Sequence, residues 1–165
     1  HLLKLHSLQL DTNGLTEFVP LPFVAEEAPI FRRGMARPGP TFKETILVHS
    51  VARILFNGNI NNIQGSWVKM GLTGLKFLLT AGINDIGGVL MNESITRSAG
   101  ALFGQELHLD EVLKITDEIG LNLKQRNTLY QPVQSNLQDL IKSQLIPLLP
   151  ISNEYHQPKK ILNSL

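Results

Sequence analysis

Stretches in which apolar residues recur every three or four positions alternate with short apolar runs along this chain, the pattern of βα units around a parallel sheet. Leu2, Leu5 and Leu8, with Leu3 and Leu10 near the same face, predict an amphipathic helix that the chain enters part-way, as a piece cut from something longer would. The turn signal Thr12-Asn13-Gly14 leads into a first strand, Leu15–Phe23, in which Pro20 and Pro22 should end regular pairing because proline cannot donate to the ladder. A long loop follows with Glu26, Glu27, Arg32, Arg33 and the stiff Arg37-Pro38-Gly39-Pro40; it is poor in serine and keeps Phe31 and Met35, so it is expected to be ordered.

The clearest helix begins at Thr41, where Thr41 and Glu44 have capping-box spacing. Ile46, Leu47, Val51, Ile54 and Leu55 supply its apolar stripe, and Gly58 is the expected stop. A second strand is read at Ile60–Trp67 and a helix at about Thr73–Thr80, stopped by Gly82. A third strand is read at Ile83–Leu90, followed by helices at about Ile95–Phe103 and Leu109–Ile119 that end at Gly104 and Gly120, with Asp110 and Glu111 suiting the positive end of the latter. Arg126–Tyr130 reads as a short final strand, and Leu137–Leu145 as one more helical run before Pro147 and Pro150. Residues 1–133 are taken as part of a β/α barrel and 134–165 as a helical extension and tail. A closed eight-stranded barrel needs roughly 200 residues or more, so three strands and a short fourth amount to part of a barrel with open edges.

Composition narrows the chemistry. With 42% hydrophobic and 18% charged residues in 165, the chain has material for a core and no segment long or apolar enough to span a membrane. A net charge of +1, without a basic face interleaved with aromatics, offers no general argument for nucleic acid or an anionic membrane. No cysteine is present, which excludes disulfides, a thiolate nucleophile and cysteine ligation of zinc or iron–sulfur clusters by these residues. The five histidines (His1, His6, His49, His108 and His156) are scattered without HExxH spacing, and no GxSxG, P-loop or GxGxxG pattern occurs.

The candidate site lies on the strands. Asn62, Gln64 and Ser66 share one face of the second strand, whereas a strand packed within an α/β sheet should be apolar on both. Such a face fits a lumen that binds something polar, or a hydrogen-bond network that plugs it. Gly87-Gly88 permits close approach of a ligand or backbone, and Asn92 and Glu93 lie just beyond that strand's C-terminal end, where barrel enzymes place binding groups; Asn92 or Ser94 equally suits a helix cap. Asn84 and Asp85, at the start of the strand, suit structural bonding. Glu17 needs a partner if buried, an arginine or a substrate amine.

Four segments then carry a resemblance: Thr16–Phe23, Ala36–Thr41, Asn62–Gly71 and Asn84–Ile95, with Gln125–Tyr130 closing the run. They resemble the C-terminal half of the second FO synthase subunit, a radical S-adenosylmethionine enzyme with a β/α (TIM-like) barrel, and the likeness runs in order from His1 to about Val133. The resemblance implies an α/β fold, here the C-terminal half of that barrel, in a cytoplasmic transferase of deazaflavin biosynthesis. Its implied reaction joins the 4-hydroxybenzyl group of L-tyrosine to 5-amino-6-(D-ribitylamino)uracil. The implied cofactors are S-adenosyl-L-methionine and a [4Fe–4S] cluster, and the implied partner is the first FO synthase subunit or domain. The family's CxxxCxxC loop has no counterpart here. What remains for this chain is the far wall of the barrel, with Gln64, Ser66, Asn92 and Glu93, then Glu17 and Asn62, as contacts to substrate or S-adenosylmethionine. The competing readings are a related radical enzyme of menaquinone synthesis and a non-catalytic half-barrel that binds a cluster-bearing partner.

Overall fold

A computed structural model describes residues 1–89, 93–104, 106–134, 139 and 141. The predicted final helical run and the tail therefore lie almost entirely outside the described residues, as does Asn92.

Helix α1 spans Leu2–Thr12 and ends at Asn13, whose left-handed φ of 47° turns the chain. It faces the core with Leu2, Leu5 and the buried Gln9, while Leu3, Leu8 and Leu10 are exposed. The inward stripe is therefore narrower than the leucine pattern predicts, and a polar residue completes it. Gln9 can be buried because its amide is satisfied: Nε2 donates to the Asn59 and Leu15 carbonyls (2.8 and 3.1 Å) and Oε1 accepts from the Leu15 N–H (2.8 Å).

Strand β1 is Glu17–Phe18, far shorter than the predicted Leu15–Phe23. The loop beyond it contains a turn of helix, α2, at Pro29–Arg32, which apolar spacing does not reveal. Helix α3, Phe42–Leu55, starts with the predicted capping box: Glu44 N–H donates to Thr41 Oγ1 (3.2 Å), and Thr41 N–H donates to Glu44 Oε2 (2.7 Å). Its inward line is Thr45, His49 and Ala52, continued by Phe56. Leu47, Val51 and Ile54, expected inward, are exposed, and only Ile46 and Leu55 of the predicted stripe touch the core. Through this line α3 packs against α1, β2 and α4.

Strand β2 is Asn62–Ile63, parallel to β1 with Glu17 opposite Asn62 and Phe18 opposite Ile63. Gln64 bridges in parallel to Asp85, so a third extended segment lies on the other side of β2, held by Gly65 N–H to the Asp85 carbonyl at 2.9 Å. Trp67, predicted as the end of a strand, instead opens α4, Trp67–Thr80. That helix is interrupted at Gly71, whose φ of 64° and ψ of 178° break the spiral beside the Phe103 ring. Helix α5 is only Ile95–Ser98, because Gly100 (φ 96°) turns the chain before the predicted end at Phe103. Helix α6, Leu109–Glu118, has Asp110 and Glu111 in its first turn and packs on α4 through Val112, with Lys76 Nζ 2.6 Å from Glu118.

The predicted strand at Arg126–Tyr130 is a turn: Arg126 bridges antiparallel to Pro132, and Asn127 Oδ1 accepts from the Leu129 and Gln131 N–H groups (2.9 and 3.0 Å). One apolar core holds these parts together, with Ala52, Phe56, Ile60, Ile63, Leu75 and Leu78 almost wholly removed from solvent.

Candidate functional site

Register decides which side chains meet. Ile63 enters the core, so the pleat turns its neighbours Asn62 and Gln64 to the opposite face. Their cross-strand partners, Glu17 and Asp85, stand on that same face. The result is a row of four polar residues, Glu17, Asn62, Gln64 and Asp85, across three parallel segments. Asn62 and Gln64 were expected there, and Glu17 joins them through β1.

The row is tied off by the turn at residues 126–132. Arg126 grips Asp85 with two donors, Nε to Oδ2 and Nη2 to Oδ1 (3.0 Å), and lies over the Tyr130 ring with its guanidinium carbon 4.0 Å from the centroid. The Tyr130 hydroxyl donates to Glu17. Glu17 thus finds a phenol as its partner, where an arginine or a substrate amine was expected. Burial and the Glu17 carboxylate push the Tyr130 hydroxyl pKa well up, so it stays a donor at any ordinary pH. The bond to Asp85 raises the Arg126 pKa further. Tyr130 holds a left-handed φ of 62°, unusual for a bulky residue, and both of its side-chain contacts keep it there.

Asp85 does one more thing: its Oδ1 accepts from the Gly87 N–H at 2.7 Å. Gly87 (φ 74°) lies so close to the Gln64 amide that a Cβ there would be 2.8 Å from Nε2. Gly87 thus makes room for the Gln64 side chain, where the sequence suggested a ligand or another backbone, and nothing lies within 4 Å of where a Cβ on Gly88 would be. Asn62 Nδ2 donates to the Thr16 carbonyl at 2.8 Å, a bond that fixes the start of β1. Asn84 is structural as expected, with Oδ1 accepting from Ile63 N–H (2.9 Å) and Arg53 Nη2 (2.6 Å).

Ser66 and Glu93 lie past the C-terminal ends of the second and third extended segments. Ser66 is 8% exposed and precedes α4, and its hydroxyl makes no capping bond. The Glu93 carboxylate accepts from the Thr96 N–H (3.0 and 3.2 Å) and so caps α5, the task the sequence suggested for Asn92 or Ser94. The Thr96 hydroxyl accepts from Lys69 Nζ at 3.1 Å, and the Trp67 indole donates to the Gly88 carbonyl at 3.1 Å. The structure therefore groups Glu17, Asn62 and Gln64 on one face and sets Ser66 and Glu93 at its rim. Arg126, Tyr130 and Lys69 were missed as contributors. The four-residue spacing of Arg126 and Tyr130 within a polar turn was their sequence signal.

Among the described residues, His49 is the one buried titratable group, and it lies behind the sheet. Its Nδ1 faces the Thr45 carbonyl at 2.7 Å, while Nε2 has no hydrogen-bond partner among the described residues. Burial lowers its pKa, opposed by the Thr45 main chain, which favours the neutral ring of a core residue. The residues present do not fit a cysteine-ligated cluster: the chain has no cysteine, and among the described residues no group of three or more histidines and carboxylates is placed to hold a metal ion. No helix among the described residues is long and apolar enough to cross a membrane.

Residues 12–139 match the family described as the CofH/MqnC C-terminal region. A Methanopyrus kandleri protein named "5-amino-6-(D-ribitylamino)uracil--L-tyrosine 4-hydroxyphenyl transferase" is 51% identical over 134 residues, which are 81% of this chain and 36% of that protein. The protein of the same name from Methanocaldococcus jannaschii is 46% identical over 131 residues, 79% of this chain and 36% of its own length. A Streptomyces coelicolor "FO synthase" is 42% identical over 154 residues, 92% of this chain and 18% of the relative. The chain thus spans about a third of the transferases it matches and less than a fifth of that FO synthase. It belongs to the family of the CofH/MqnC C-terminal region.

Proposed function

We propose that this chain forms one wall of a β/α barrel in which a radical S-adenosylmethionine transferase joins the 4-hydroxybenzyl group of L-tyrosine to 5-amino-6-(D-ribitylamino)uracil. The observation that carries this reading is the polar row Glu17–Asn62–Gln64–Asp85 on a parallel sheet, the side that a sheet packed on both faces would keep apolar. The names borne by the Methanopyrus and Streptomyces relatives support the coupling reaction over the menaquinone alternative.

Within that wall, Glu17 and Asp85 serve the turn at 126–132 and close off one part of the row. Gln64 remains for ligand, because its amide packs beside Gly87 and is not engaged by that turn. Ser66 and Glu93 supply the rim, and Asn62 orients the strand edge beneath Gln64. The S-adenosylmethionine chemistry requires a cluster whose cysteines come from outside these 165 residues.

The test uses the longest reading frame that contains this chain, expressed anaerobically with iron and sulfide. We expect 5′-deoxyadenosine to form only when tyrosine and the aminouracil are both present. Gln64→Ala should lower kcat/KM by on the order of 10-fold, the worth of one hydrogen bond to a bound polar group. Turnover indifferent to the aminouracil would sink the reading.

A further inference from the structure

At the rim, a lysine and a glutamate reach the same threonine without neutralising each other. Lys69 Nζ donates to the Thr96 hydroxyl at 3.1 Å, and the Glu93 carboxylate takes the Thr96 N–H at 3.0 Å. Thr96 is 6% exposed, and both Lys69 and Glu93 are half-buried. Among the described residues no carboxylate lies within 4.0 Å of Lys69 Nζ. A partly desolvated ammonium with only a neutral partner is costly, and structures keep such charges where something else completes them. Lys69 also stands in the first turn of α4, which has no acidic residue, so its own helix offers it no counter-charge.

We infer that Lys69 and Glu93 form the subsite for an α-amino-acid head group, with Lys69 pairing the carboxylate and Glu93 facing the ammonium. The two ends of a zwitterion need a cation and an anion held apart, which is what Thr96 enforces by engaging one through its hydroxyl and the other through its amide. The neighbouring Ser66 hydroxyl, buried and without a capping role, is a further donor for the carboxylate. The inference rests on the function proposed above and deepens it, since that reaction has two α-amino-acid ligands, tyrosine and S-adenosylmethionine.

Equilibrium binding to the longest reading frame containing this chain, without turnover, separates the cases. The probes are L-tyrosine, tyramine (which lacks the carboxylate), S-adenosylmethionine and 5-amino-6-(D-ribitylamino)uracil. For Lys69→Met the affinity of one amino-acid ligand should fall on the order of 10- to 100-fold, the worth of a charge-assisted hydrogen bond. Tyramine and the uracil should bind this variant as they bind the parent. The ligand that weakens, tyrosine or S-adenosylmethionine, identifies the occupant. On the parent protein, tyrosine should outbind tyramine if tyrosine is the occupant, a comparison that needs no variant. Lys69→Arg should recover part of the lost affinity. Both amino-acid ligands binding Lys69→Met within two-fold of the parent would overturn the subsite while leaving the proposed function standing. Loss of uracil binding by the parent would instead overturn the function.

Discussion

At the scale of single residues, the polar row behaves as two halves. Asp85 has only 9% of its side chain exposed and is held by Arg126, while Glu17 is held by Tyr130. Removing a partner from a poorly solvated carboxylate costs more than the bond was worth, because the charge is left without compensation. Tyr130→Phe should therefore destabilise the chain by about 1–2 kcal/mol, and Arg126→Met by about 2–3 kcal/mol, the latter discounted because Arg126 is 29% exposed. Urea unfolding of both variants checks the order, and equal, negligible effects would contradict it. His49 sets a pH dependence. Its folded pKa lies below the unfolded value of about 6.5, so on acidification the unfolded chain takes up a proton that the fold refuses. Its contribution is intact above that unfolded value and is lost progressively below it. A His49→Leu variant should lose less stability than the parent between pH 7.5 and 5.5, read by denaturant midpoints at the two pH values.

At the scale of elements, legibility in the sequence followed how local each cause was. The start of α3 could be read because a capping box is written in four consecutive residues, and Thr41→Ala should cost about 1 kcal/mol by thermal melting. The polar face of β2 could be read because a strand's period is two. The stripe of α3 could not, since apolar residues surround that helix and neighbouring elements select Thr45, His49 and Ala52 for the contact. The ends of the strands were overestimated because Pro20 and Gly87 halt pairing sooner than the apolar runs stop. The turn at 126–132 was misread as a strand because its fold depends on Asp85 and Glu17, 41 and 113 residues away in sequence. Gly71 was invisible for a related reason: only its approach to Phe103 and its φ of 64° show why a helix breaks there. Gly71→Ala combines left-handed strain with a Cβ 3.0 Å from that ring. It should cost about 1–3 kcal/mol, whereas Gly58→Ala, with open space around it, should cost only the strain of its φ of 80°. Comparing the two midpoints separates strain from crowding.

At the scale of the whole molecule, the surface carries apolar area that the fold leaves uncovered. Leu47, Val51 and Ile54 fall at i, i+4 and i+7 on α3 and are 50%, 48% and 78% exposed, and Leu3 and Leu10 lie exposed on the neighbouring α1. Among the described residues, β1 pairs on one side only. Parallel sheets are normally covered on both faces and closed or shielded at their edges, and exposed apolar helix faces and unpaired strand edges both favour association. Residues 1–165 expressed by themselves should therefore self-associate as concentration rises, visible as an increasing weight-average mass in sedimentation equilibrium. Leu47→Lys with Ile54→Lys should reduce that mass without lowering the unfolding free energy by more than about 0.5 kcal/mol for each substitution, since both positions are exposed. A chain that stays monomeric at every concentration and melts in one cooperative step would show that these elements suffice as a folded unit, and the wall-of-a-barrel reading would lose its physical support.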